Sequence, residues 1–245
     1  MTGSFFILAN SLVDGFVNSN GIGRGIVIAQ ICGSVFMFAA IIGKWRELGF
    51  IVRKTRLFLH DFTTGSDVLD YYFNRRPSAV FGIEWIYKVT CERLLKLLAP
   101  DVRSLLAGHQ TDGNGSAALT AREIELVKST CDHALDEEGV RVAHGMTIVA
   151  TAVSLAPMLG LLGTVWGVLD AFYEMGSSGS ANLATIAPSI SSALVTTVVG
   201  LLIAIPGVAA YNYMDSVIRN VQIDMDGFAD ELTGRIACEF QGKGA

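Results

Sequence analysis

Three stretches of this chain stay uncharged for longer than a soluble helix needs. The first runs from Gly25 to Gly43, between Arg24 and Lys44. The second runs from Val142 to Leu169 and the third from Met175 to Met214. A helix crosses the hydrocarbon core of a bilayer in about 20 residues. Inside that core every backbone N–H and C=O must find its partner within the protein, and a helix does this unaided. The sequence therefore predicts an all-α membrane protein with three transmembrane helices, at about 25–43, 146–172 and 184–211. Composition agrees: 51% of the 245 residues are hydrophobic and 17% charged, against about a quarter charged in soluble domains.

An odd number of spans puts the termini on opposite sides. Of the 18 Lys and Arg residues, Arg24 precedes the first span, fourteen lie between the first and second, none between the second and third, and three follow the third. The loops rich in Lys and Arg stay cytoplasmic, and Lys44, Arg46, Arg53, Lys54 and Arg56 sit close enough to a span end to count fully. The expected topology is an extracytoplasmic N-terminus, a cytoplasmic domain at 44–145, a short extracytoplasmic loop at 173–183 (EMGSSGSAN) and a cytoplasmic C-terminal helix at 212–245. Residues 1–24 have no basic n-region, and Asp14 interrupts their apolar run, so no cleavable signal is read. Phe5, Leu8, Leu12 and Phe16 suit an amphipathic helix lying on the membrane.

The cytoplasmic part reads as helical. Phe81 to Leu98 has a mixed apolar and charged period and stops before Pro100. GHQTDGNGSA is a loop. Thr120-Ala-Arg-Glu123 fits a capping box. From there no proline appears before Pro157, which predicts one long helix continuing into the second span. The third span is expected to continue past Tyr211 toward Phe240.

The spans are unusual in carrying small residues. Ala156, Gly160, Thr164, Gly167 and Ala171 share one helix face, and so do Ala193, Thr197, Gly200, Ala204 and Gly207. Small stripes let helices approach closely in lipid, where association rests on packing. Thr164 and Thr197, on antiparallel helices, differ in depth by only about 6 Å. Two readings of these hydroxyls stand: each donates to its own i−4 carbonyl, or both face a lumen and offer hydrogen bonds to water or a carboxylic acid. Asp170 falls beyond a roughly 30 Å core; it is read as an interfacial acid, with a proton relay as the other possibility.

Other chemistry finds little support. The net charge of -5 argues against nucleic acid. The four cysteines have no zinc or CxxC spacing, and no metal or other cofactor is expected. His60, His109, His133 and His144 all fall in the cytoplasmic part, and Cys131-Asp132-His133 reads as a polar helix face. Gly21-Ile-Gly23-Arg-Gly25 lacks a phosphate-binding context and reads as a loop. Asp136, Glu137 and Glu138 read as a solvated face, with a proton exit as the alternative. No enzyme activity is expected.

The blocks PMLGLLGTVWGVLDAF and IAPSISSALVTTVVGLLIAIPGVAAYN resemble the signature spans of the MotA/TolQ/ExbB proton-channel family, and are most similar to its TolQ/ExbB branch. The resemblance covers about Ala121 to Glu239; residues 50–118 carry no family motif. It implies a homopentameric ring in the bacterial inner membrane, driven by the proton-motive force. It also implies a one-span partner resembling TolR or ExbD, whose intramembrane aspartate sits in the central pore and exchanges protons. Thr164 and Thr197 match the threonines that line that site. Ser192, Thr196, Gly160, Gly167 and Gly200 fall on the same pore-lining segments, and Pro157 and Pro206 match family prolines that bend the helices. The family usually has glutamate where this chain has Ser192, so either the partner's acid supplies all the exchange or the chain belongs to a divergent branch with a different task. The expected output is rotation of the partner, energising transport or envelope maintenance. The alternatives are a motility stator and a non-conducting scaffold.

Overall fold

The computed structural model describes residues 21–64, 68–75, 82–98, 119–178 and 183–240. Among these it is helical, with α1 (Gly21–Thr64), α2 (Asp70–Arg75), α3 (Ile83–Leu97), α4 (Ala121–Ala143), α5 (Met146–Ser178) and α6 (Leu183–Phe240). Three helical segments are long and apolar enough to cross a membrane: Gly21–Phe62, Ala121–Ser177 and Ile186–Phe240. The expected N-terminal amphipathic helix and the GHQTDGNGSA loop lie outside the described residues.

Several expectations need correction. Gly21 to Gly25 is the first turns of α1, not a loop. With no water to satisfy a frayed end, extending the helix keeps these N–H and C=O groups paired. Likewise α1 continues past Gly43, and Glu174 to Ser178, assigned to a loop, belong to α5. The helix expected to run unbroken from Ala121 into the second span is interrupted at His144 and Gly145, where Gly145 has φ of 84°. That backbone region favours glycine. The third span does run on to Phe240 in one helix, with Pro188 and Pro206 inside it.

The chain divides into two compact units. One takes Met1–Trp45 and Gly145–Asp215, and holds almost all of the uncharged part of each of the three apolar segments. Its surface is what lipid or neighbouring helices require: Val35, Phe36, Ile42, Leu161, Val165, Leu169, Leu202 and Ile205 are all exposed. Trp45 and Tyr213 pack with ring centroids 5.3 Å apart and planes tilted by 31°, amphipathic rings at the ends of their spans, as at a membrane interface.

The other unit takes Arg46–His144 and Ser216–Ala245. Its core is aromatic. Phe58 meets Tyr71, Tyr87 and Phe228, and Phe62 meets Tyr87 and Phe228, with centroids 5.0–5.8 Å apart. The Tyr87 hydroxyl donates to the Val68 carbonyl at 2.6 Å and accepts from the Tyr72 N–H at 3.0 Å. Burial pushes the Tyr87 phenol and the Cys91 and Cys131 thiols up, so all stay protonated. The capping box at Thr120 and Glu123 is formed as expected.

Glu138 corrects the reading of a solvated acidic face. Glu137 is exposed, but Glu138 is fully buried. Its carboxylate accepts from the Gly82 N–H at 2.7 Å and from the Arg141 guanidinium at 2.9 Å. Arg141 in turn lies over the Trp85 ring, 5.2 Å from its centroid. Burial raises the Glu138 carboxyl, opposed by these two donors. Among the described residues no group of His, Cys, Asp and Glu is placed to hold a metal ion. Cys131 is buried while Asp132 and His133 are exposed.

Candidate functional site

The second and third spans meet along a seam of missing side chains. A Cβ built on Gly160 would lie 2.9 Å from the Thr197 Cα, and one on Gly163 would lie 2.6 Å from the Thr196 Cβ. On Gly167 it would reach the Ala193 Cβ at 2.5 Å, and on Gly200 the Ala156 carbonyl oxygen at 2.6 Å. Real Cβ atoms do not approach so closely, so these four positions admit only glycine while the helices keep this separation. Ala156, Ala171, Ala193 and Ala204 are buried as well. The pairing runs antiparallel, since Gly167 meets Ala193 and Ala156 meets Gly200.

Two hydroxyls cross this seam. Thr197 Oγ1 donates to the Gly160 carbonyl at 2.9 Å, and Thr196 Oγ1 reaches the same carbonyl at 3.1 Å while also lying 2.7 Å from the Ala193 carbonyl. A helix carbonyl keeps a second lone pair free after its i+4 bond, and Gly160 exposes its carbonyl because no side chain shields it.

The sequence-assigned residues thus divide. Gly160, Gly167, Gly200 and Thr196 lie in the contact between helices; Thr196 is 1% exposed. Such positions are covered by the facing helix. Ser192 is buried too, its Oγ donating to the Ser189 carbonyl at 2.9 Å. Thr197 keeps partial exposure. Thr164 is also partly exposed and donates to the Leu161 carbonyl at 2.8 Å, a local bond to the i−3 carbonyl rather than the i−4 one considered from sequence. Thr164 stands off the seam; Gly163 takes the place on the contact face that the sequence stripe gave to Thr164. Pro157 is partly exposed and Pro206 exposed, each inside a continuous helix.

Three features were missed in the sequence. Gly163 was passed over by counting i+4 steps where the contact uses i+3. Glu174, in the last turns of α5, has Oε2 3.4 Å from the hydroxyl of Ser189; it was read as loop. Gln30 on α1 is 2% exposed, and its amide Nε2 donates to the carbonyls of Thr196 at 3.2 Å and Ala156 at 3.4 Å. The signal was there: it is the one amide in the uncharged run from Gly25 to Gly43.

This architecture defines a class: a multi-pass helical membrane protein whose second and third spans pack through glycine and cross-bonded threonine. The chain belongs to the MotA/TolQ/ExbB proton channel family, whose family-wide pattern matches residues 100–226. Among its relatives, the Tol-Pal system protein TolQ of Pseudomonas aeruginosa is 42% identical over 209 residues, covering 84% of each chain. The biopolymer transport protein ExbB of Xanthomonas campestris pv. campestris is 32% identical over 184 residues, covering 74% of this chain and 71% of the relative. The TolQ of Haemophilus influenzae is 28% identical over 228 residues, covering 91% and 92%.

Proposed function

We propose that this protein is the ring-forming subunit of an inner-membrane motor driven by the proton-motive force, like TolQ and ExbB. A one-span partner resembling TolR or ExbD brings an intramembrane aspartate to the axis of a homopentamer. The observation that carries the reading is the seam: Thr197, part exposed, is anchored to Gly160, and Thr164 lies one helical turn further along α5. Support also comes from relatives named for the Tol-Pal system and for biopolymer transport.

The hydroxyl protons of Thr164 and Thr197 are engaged at the Leu161 and Gly160 carbonyls, so the wall offers the partner's carboxyl two hydroxyl oxygens, each able to accept one weak hydrogen bond. A neutral carboxyl rests against such a wall, whereas a carboxylate there lacks the solvation it has in water. Proton uptake from the outer side and release to the cytoplasm therefore switch the aspartate between wall and water. Each proton crossing supplies about 2.3 kcal/mol per 100 mV. The N-terminus is periplasmic and the C-terminus cytoplasmic, as the Lys and Arg asymmetry requires.

Proton flux into liposomes tests this. The complex with its one-span partner conducts when a gradient is applied, and the complex with the partner's aspartate replaced by asparagine does not. A chain that passes no protons with its partner is a scaffold, and the proposal fails.

A further inference from the structure

We infer that Gln30 is a positioning residue of the proton pathway: a clamp that holds the first span against both pore-wall spans at the depth of Thr197. The inference rests on the function proposed above. Gln30 is 2% exposed, within the uncharged run from Gly25 to Gly43. Its Nε2 sits in a notch that exists because two side chains are missing. A Cβ on Gly160 would come within 3.4 Å of that nitrogen and one on Gly200 within 2.9 Å. From the notch the amide donates to the Ala156 carbonyl of α5 and the Thr196 carbonyl of α6. The latter belongs to the peptide joining Thr196 to Thr197, the residue whose hydroxyl bonds Gly160.

The amide has one sensible orientation. Turning it over would point Oε1 at two carbonyl oxygens. As placed, Oε1 is buried and has no hydrogen-bond partner among the described residues. An orphaned acceptor is unfavourable in an apolar surrounding, so stability alone would favour an apolar residue here. What glutamine adds is direction: two carbonyls on two helices tied to one side chain. Gln30 also lines a cavity of about 410 Å³ with Gly33, Met37, Thr151, Ala152 and Leu159. The Thr151 hydroxyl there is bonded to the Thr147 carbonyl of its own helix. The amide is thus the group on this wall that ties three helices together.

The test uses Gln30→Met, of similar shape but without a donor, and Gln30→Glu, which donates one hydrogen bond only when its carboxyl is protonated. Both are reconstituted as the full complex with the one-span partner. At equal driving force, Gln30→Met is expected to lose about tenfold in proton flux, the scale of two neutral hydrogen bonds, while assembling as the wild type does. Burial disfavours the charged carboxylate of Gln30→Glu, so this variant is expected to approach wild type at low pH and to lose flux as the pH is raised far enough to ionise it. Wild-type flux in Gln30→Met, or a Gln30→Glu deficit that ignores pH, overturns the inference; if Gln30→Met does not assemble, the pH profile of Gln30→Glu decides. A second readout does not depend on conduction. With Cys32 and Cys238 changed to serine, the rate of thiol labelling at Thr197→Cys should shift about tenfold when Gln30→Met is added, and at Thr164→Cys it should not. Unchanged labelling at position 197 also overturns the clamp. A wild-type complex that conducts nothing sinks the proposed function instead, and the labelling result still judges the clamp.

Discussion

A methyl group added at Gly163 would press on the side chain of Thr196, 2.6 Å from its Cβ. Thr196 cannot yield freely, because its hydroxyl is tied to Gly160 and Ala193. Gly163→Val should therefore cost about 1–3 kcal/mol by overpacking, seen as a lower melting temperature of the detergent-solubilised protein. Gly33→Val, where a new Cβ meets nothing within 4 Å, should leave it unchanged. Glu138 carries a pH prediction. Its carboxyl is raised above the ordinary range by burial, so the folded protein binds its proton more tightly than the unfolded chain does. The stability this contributes is fully present below the ordinary carboxylate range and is lost as pH rises through the raised value. The melting temperature of the wild type relative to Glu138→Gln should fall with rising pH; a constant or rising difference would contradict the burial argument. No sequence pattern distinguished Glu138 from Asp136 and Glu137. Only the Gly82 N–H, distant in sequence, tells them apart.

The helices themselves were largely legible, for a physical reason. Lipid leaves no alternative to helix for an uncharged run of this length, so the spans declared themselves by charge alone. What was misjudged were the ends and the junctions. Residues flanking a span carry charges and glycines whether or not the helix continues, and here α1 and α5 run past the uncharged limits, whereas the continuation of α6 to Phe240 was expected. Gly145 is the converse case. Nothing in its neighbours forbids helix, yet its φ of 84° breaks one there. Replacing it by alanine places an L side chain in a conformation that costs about 1–2 kcal/mol. Gly145→Ala should thus lower the melting temperature; an indifferent variant would show that the interruption is not required. The small-residue faces were visible from i+3 and i+4 spacing, but assigning Thr164 to the contact and overlooking Gly163 was an error of one position. Periodicity locates a face to within roughly one residue, and chemistry cannot refine it, since glycine and threonine are both small. Gln30 escaped because its role depends on two carbonyls in other helices, which no local pattern records.

For the whole molecule, the family and the membrane class follow from the sequence and the fold together, and topology is a separate matter. The Lys and Arg asymmetry predicts that Gly176→Cys, at the outer end of α5, is labelled by an impermeant thiol reagent in intact cells, while Glu137→Cys is labelled only after the membrane is opened. The reverse pattern would invert the chain. The wider account rests on two spans packed close enough for threonine hydroxyls to bond across the seam and to present a polar wall to a partner's acid. The direct measurement is proton flux through the assembled complex carrying Thr164→Val and Thr197→Val, singly and together. Valine keeps the shape of threonine and removes the hydroxyl. The account predicts that each variant assembles normally and that flux falls at least about tenfold in the pair, the scale expected when a hydrogen-bonded site loses its partners. Flux equal to that of the wild type in the double variant would contradict it.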